Sequence, residues 1–280
     1  MATLPTGKSP HELAASRDGK WVVVTDYAGP DNTLTVIDVT SRTVARKISF
    51  APYHRPHGAV FMPDNRTLVV TAERDSALVL VDVAAGAVTG FRRTGSRVGH
   101  MVVLSPDAKT GYVANITPGN LSIIDLAGTG DPVVVPVGPQ TEGIGIAPDG
   151  RTVWMGSNTT GKVFVVDVAA RKVIDSVQTP SAPYRVGFTP DGKTAIITNP
   201  DSSEMRIIDA RTRKVLRVVS LRTTDVEKTL PQGIAVSPDG RLVWITLGQA
   251  SRVAEVEIST GKVLRWMATD AGPDGVVYVQ

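Results

Sequence analysis

One short pattern returns six times along the chain: a Pro or Gly, a variable polar residue, a short apolar run and then a turn of Pro-Asp-Gly type. It reads Pro10-His11-Glu12-Leu13 with Arg17-Asp18-Gly19, Pro56-His57-Gly58-Ala59 with Pro63-Asp64-Asn65, and Gly99-His100-Met101-Val102 with Pro106-Asp107-Ala108. It continues as Thr141-Glu142-Gly143-Ile144 with Pro148-Asp149-Gly150, Pro183-Tyr184-Arg185-Val186 with Pro190-Asp191-Gly192, and Pro231-Gln232-Gly233-Ile234 with Pro238-Asp239-Gly240. The variable residue falls at positions 11, 57, 100, 142, 184 and 232, a period of about 42 residues. Each copy goes on through a β-branched run such as Trp21-Val22-Val23-Val24-Thr25 and an alternating run that closes on Asp38, Asp82, Asp125, Asp167, Asp209 or Glu257. A fourth run follows a further turn, as in Lys172-Val173-Ile174.

Four short antiparallel strands per copy is the reading these runs and turns support. A single four-stranded sheet cannot bury both faces, whereas sheets stacked radially bury a continuous core. No window carries the 3.6-residue period of an amphipathic helix. The expected fold is therefore an all-β propeller of four-stranded antiparallel blades forming one domain over residues 1–280. Six complete strand sets favour six blades. Gly272-Pro273-Asp274-Gly275-Val276 reads as a seventh copy of the opening strand, so seven blades, or a terminal strand that closes the ring, stay open.

Composition removes several classes of function. Hydrophobic residues make up 42% and charged residues 20%, enough apolar material for a core and too much for disorder. Net charge is +3, but Lys and Arg are dispersed; the densest groups are Arg92-Arg93 with Arg97 and the stretch from Arg211 to Arg217. Nucleic-acid binding would require clustering, so no nucleic-acid partner is expected. There is no cysteine, which excludes disulfide and thiolate chemistry. No apolar run reaches the length of a membrane span and Met1 to Ser9 carries no apolar signal core. The chain as written reads as a cytoplasmic monomer without a membrane partner, or as periplasmic or secreted where an export signal has been removed. P-loop, dinucleotide and nucleophile-elbow motifs are absent; Gly143-Ile144-Gly145 lies within a strand and opens no helix.

Tyr112-Val113-Ala114-Asn115, with weaker counterparts at Ile196-Ile197-Thr198-Asn199 and Val22-Val23-Val24-Thr25-Asp26, resembles the motif of the YVTN-type β-propeller repeats. That family is related to lactonase-like and streptogramin-lyase-like propellers. The resemblance extends over nearly the whole chain. It implies the propeller fold strongly and an activity weakly, because one scaffold hosts many chemistries.

In a propeller the first strand of each blade is innermost, so the variable residues converge on the axial channel. Three of the chain's four histidines, His11, His57 and His100, share this position with Glu142, Tyr184 and Gln232, and Asp274 is a possible extra. Imidazoles with a carboxylate are a ligand set for zinc, iron, copper, nickel or manganese. His11, His57 and His100 are accordingly expected to bind a divalent transition metal, with Glu142 as fourth ligand or as base and an open position for water or substrate. A polar pocket without metal and a purely structural ring are the plainer readings that stay open.

The second strand returns to the same face. It brings Asp26 and Tyr27, Glu73 and Arg74, Asn115, Asn158, Asn199 and Gln249, a polar set suited to a small polar or anionic ligand. Asn and Asp at strand ends also favour turns. Asp26, Glu73, Arg74, Glu142 and Tyr184 are the candidate catalytic or substrate-orienting residues, with His54 and Arg55 near the same face. The expected activity is a metal-assisted lyase or hydrolase acting on a small polar molecule, elimination being what the streptogramin-lyase-like resemblance implies. A non-catalytic propeller binding a ligand or protein, and a copper-dependent oxidoreductase, are the alternatives. The Asp residues that close the third runs recur in every blade and read as turn hydrogen bonds.

Overall fold

Each copy of the repeat folds into one antiparallel meander of four strands, and the six meanders make the chain a six-bladed all-β propeller. The computed structural model describes residues 3–29 and 32–279; among them are twenty-four strands and a single 3₁₀ turn, Pro200–Ser202. None of the described helices is long and apolar enough to cross a membrane. Blades 1–3 belong to one compact unit that runs to Val135, and blades 4–6 to a second, Pro136–Tyr278.

The strands differ in what covers them, and their sequences follow. Second strands such as Trp21–Asp26 and Thr67–Ala72 are buried on both faces beyond their first residue, so they read as unbroken β-branched runs. Fourth strands such as Thr43–Ser49 are mostly exposed and carry Lys and Arg, which discourage edge-to-edge pairing. In the first unit the core packs Val23, Leu34, Ile48 and Phe50 of blade 1 against Leu68, Val70 and Val79 of blade 2. The acidic residues that end the third strands hold turns, as expected: Asp38 accepts from the Ser41 N–H at 2.8 Å, Asp82 from Ala85 at 2.8 Å, Asp167 from Ala170 at 2.7 Å and Asp209 from Thr212 at 2.6 Å.

One irregularity positions the site. Between first and second strands the register slips by one residue at the variable position: Pro10 pairs with Asp26 but Leu13 with Val24, and Pro56 pairs with Ala72 but Ala59 with Val70. The same β-bulge occurs at His100, at Glu142-Gly143 and at Gln232-Gly233. A bulge re-aims the side chains it contains, so the variable residue leaves the alternation of its strand. A threonine of the second strand secures it. Thr71 Oγ1 accepts the Gly58 N–H at 2.9 Å and donates to the His100 carbonyl of the next blade at 2.6 Å. Thr198 links the Arg185 N–H and the Gln232 carbonyl in the same way.

The C-terminal segment uses this device. Thr246 Oγ1 accepts the Gly233 N–H at 2.7 Å and donates to the Asp274 carbonyl at 2.6 Å. Asp274 thus stands against blade 6 where the first strand of a further blade would begin. The seventh copy of the motif completes the packing of blade 6, with Tyr278 stacked on Trp244 at 5.0 Å between centroids, and adds no seventh sheet.

Candidate functional site

In the first unit the bulges of blades 1, 2 and 3 bring three imidazoles into ring contact. His11 and His57 meet edge to face with centroids 4.4 Å apart, and His57 and His100 lie 3.6 Å apart at an interplanar angle of 31°. His57 has no exposed surface and His100 has 7%. Two carboxylates sit in the same place, Glu12 beside His11 in the blade 1 bulge and Glu73 just past the second strand of blade 2, both about nine-tenths buried. His57, Glu73 and His100 offer ligand atoms all within 4.8 Å of one another; so do His11, Glu12 and His57. These are two overlapping triads that share His57.

Glu73 is the electrostatic hub. Its Oε2 lies 3.4 Å from His100 Nδ1 and accepts from the Tyr27 hydroxyl at 3.0 Å, while Oε1 lies 3.2 Å from the Arg55 guanidinium. Burial by itself would raise this carboxyl. The hydrogen bond and charge of His100, the charge of Arg55 and the Tyr27 hydroxyl outweigh it and hold Glu73 below the ordinary glutamate value. Arg55 also donates to the Tyr27 hydroxyl and covers the Tyr27 ring, 4.4 Å from its centroid. Tyr27 meets the rings of both His11, at 5.0 Å, and His57, at 5.2 Å. Arg55 reaches this place from a left-handed backbone, φ 54°, immediately before Pro56. Ser9, Val98, Gln140 and Leu230 adopt the same conformation at the corresponding approach to their strands. Non-glycine residues pay for that geometry, so five blades maintain this kink ahead of the bulge.

Of the expected residues, His11, His57, His100 and Glu73 are assembled here. Glu142 belongs to the second unit, in a polar group of its own. Asn158 Nδ2 donates to its Oε2, and Arg185 Nη1, on a buried side chain, lies 3.6 Å from Oε1. Tyr184 joins that group through Arg185, whose guanidinium covers its ring at 4.1 Å. The carboxylates in the two His triads are Glu12 and Glu73, and Glu142 lies against Arg185. Asp26 departs from expectation too: its carboxylate, 2% exposed, accepts from the Gly7 N–H at 2.9 Å, the Thr33 hydroxyl at 2.6 Å and the Thr35 hydroxyl at 2.9 Å. Those bonds fasten the N-terminal segment to blade 1. Asn115 is spent similarly, donating to Asn120 and Ser122 at 2.7 and 2.8 Å. Arg74 is exposed and lines a cleft of about 400 Å³ beside Tyr27 and Arg55.

Glu12 escaped the sequence reading, although a signal was present. The residue after the variable position is Gly58, Gly143 and Gly233 in three blades, where a Cβ would run into the next backbone, and the charged exceptions are Glu12 and Arg185.

Fold and site together define the class: a six-bladed β-propeller with a buried histidine–carboxylate cluster in its first unit. Two solved structures share the fold. Hydrazine synthase of Kuenenia stuttgartiensis matches with a TM-score of 0.87 at 18% identity, over 100% of this chain and 92% of that one. The Cps50 (Swd1) β-propeller domain of Myceliophteria thermophila matches with a TM-score of 0.83 at 15% identity, over 99% of this chain and 92% of that domain. At such identities the likeness is one of fold. No family model matches the sequence, and no curated protein matches it significantly.

Proposed function

We propose that the first unit holds a divalent transition metal on His57, His100 and Glu73, and that the protein is a metal-assisted lyase or hydrolase acting on a small polar molecule. The observation that carries this is the pair of overlapping triads. Three imidazoles and two carboxylates, all but His11 buried, lie within 4.8 Å in each set, the imidazoles and Glu12 on bulges and Glu73 just past a second strand. Donors 2.0–2.1 Å from a tetrahedral ion stand about 3.3 Å apart, so either triad, with ligand atoms up to 4.8 Å apart, would have to draw in and turn its rings to close on an ion. The chemistry of the donors suits zinc, iron, copper, nickel or manganese.

The two oxygens of Glu73 divide the work. Oε2 faces His100 and is the ligand; Oε1 stays with Arg55, which orients the carboxylate as second-layer partners of metal ligands do. An ion bound there supplies Lewis acidity toward a carbonyl or leaving group. His11, in ring contact with that triad through His57, and Glu12 beside it would supply the proton acceptor. The Tyr27 hydroxyl accepts from Arg55 and donates to Glu73 Oε2, and would turn its proton to a developing oxyanion once an ion takes that oxygen. Membership of the YVTN-type repeat propellers is part of this reading, supported by Tyr112-Val113-Ala114-Asn115 ending the second strand of blade 3.

A non-catalytic ligand-binding propeller is the second reading, favoured by one observation: Glu73 already has a cation partner in Arg55. Metal content of purified protein decides between them. The proposal expects close to one metal per chain, lost in His57→Ala and Glu73→Gln and kept in Glu142→Gln. A wild type without stoichiometric metal, and without thermal stabilisation by added divalent ions, leaves the binding module, since a ligand of the native state must stabilise it.

A further inference from the structure

We propose that the cleft beside the histidine cluster is the docking site for a carboxylate group of the substrate, with Arg74 and Arg55 as its specificity-determining residues; this rests on reading the cluster as the reaction centre. Tyr27, Ala28, Gly29, Asn32, His54, Arg55 and Arg74 line the cleft, a space of about 400 Å³ that suits a small molecule. Its ionisable lining is basic apart from the Tyr27 phenol: two guanidiniums and one imidazole, and no described lining residue is a carboxylate. His54 is fixed by Asp75, at 3.1 Å from its Nδ1 with the His54 N–H donating to the same carboxylate at 2.6 Å, so the loop bearing two of these groups is anchored.

The cleft and the cluster share two residues. Tyr27 contacts His11 and His57 on one side and lines the cleft on the other. Arg55 is tied through Nη1 to Glu73 and through Nη2 to the Tyr27 hydroxyl, yet its side chain remains 41% exposed. A molecule seated against Arg74 and Arg55 therefore also lies against Tyr27, whose ring touches His11 and His57. A guanidinium presents paired N–H donors that match the two oxygens of a carboxylate, which makes a small carboxylic acid, anchored at its charged end and reacting at the other, the class that fits.

Arg55 also links the two sites by charge. Without a metal it offsets buried Glu73 together with His100. A dication on Glu73 takes over that role and leaves Arg55 with positive charge to share with an incoming anion. Anion affinity is therefore expected to rise when the metal site is filled, and by linkage metal affinity to rise with the anion.

The test is calorimetric titration of the full chain with succinate, its neutral diamide and inorganic phosphate, on metal-loaded and chelator-treated protein, with metal content measured on the same samples. The expected result is succinate binding that the diamide does not reproduce, weakened about tenfold or more by Arg74→Gln and stronger in the metal-loaded sample. Equal affinity for succinate and the diamide, or an unchanged affinity in Arg74→Gln, overturns the assignment of the cleft. Phosphate binding that exceeds succinate overturns the choice of carboxylate. A wild type that carries no metal yet binds succinate through Arg74 refutes the metal reading and leaves the cleft standing, so the two failures are told apart.

Discussion

Replacement of Gly58 by alanine tests the packing that holds His57 against His100. A Cβ at Gly58 would lie 2.8 Å from the His100 carbonyl oxygen, 2.9 Å from Met101 Cα and 3.0 Å from the Val102 nitrogen. All three are backbone atoms of the first strand of blade 3, so no side chain can swing aside. To restore ordinary contact near 3.4 Å that strand must retreat by about 0.6 Å. Overpacking of this kind costs about 1–3 kcal/mol, and for a chain of this size each kcal/mol lowers Tm by about 2–4 °C. A loss of about 2 kcal/mol, or about 4–8 °C, is the expected outcome. Gly90→Ala is the matched control, since a Cβ there meets only Leu80 Cδ1 at 3.9 Å and should be neutral or slightly stabilising. Thermal and urea unfolding of both variants, run with excess chelator so that metal binding does not contribute, give the comparison. Equal stability of Gly58→Ala and Gly90→Ala would refute the close approach of blades 2 and 3 at the histidines.

Two more outcomes follow from the bulges and turns. Thr71→Val, nearly isosteric, strips the partner from the Gly58 N–H and from the His100 carbonyl in a buried place and should cost about 2–3 kcal/mol in urea unfolding; a wild-type midpoint would show that the threonine does not secure the bulge. Asp18, Asp107, Asp191 and Asp239 are held below the ordinary aspartate value, first by a Ser or Thr hydroxyl two residues earlier and then by the backbone N–H two residues later. Because their folded pKa is depressed, the stability they contribute is present above the unfolded value near 4 and disappears as pH falls through the folded one. With excess chelator present, so that metal release does not contribute, Tm should fall as pH drops below about 4; a Tm that holds to pH 3 would contradict the role of these turns.

The fold was legible because its cause is local and repeated. Turn aspartates, β-branched second strands and polar fourth strands recur at a fixed period, and each copy restates the same sheet. The gathering of His11, His57 and His100 was legible as well, since the variable position alone breaks the repeat. Of its carboxylates, Glu73 was legible as a polar residue at a strand end and Glu12 was not. Glu142 occupies the marked position, and its contact with Arg185, which stands one residue past that position in the next blade, was not marked by the repeat. Glu12 shows only as a charge where other blades need glycine. Tyr27, Glu73 and Asn158 come from the residue after the second strand, whereas the last residue of that strand, Asp26, Asn115 or Asn199, bonds to loops and to the third strand. Composition of a strand end gives no hint of that one-residue distinction. Arg55 reaches Glu73 from a left-handed backbone that nothing in the residue type announces.

Anomalous diffraction from crystals of the purified protein, collected on either side of the absorption edge of the metal that elemental analysis finds, tests the metal site most directly. A single strong anomalous peak bounded by His57, His100 and Glu73 is the predicted result, weaker or absent in Glu73→Gln. A peak at Glu142 and Tyr184, or none among the three histidines of the first unit in crystals that contain the metal, would contradict it.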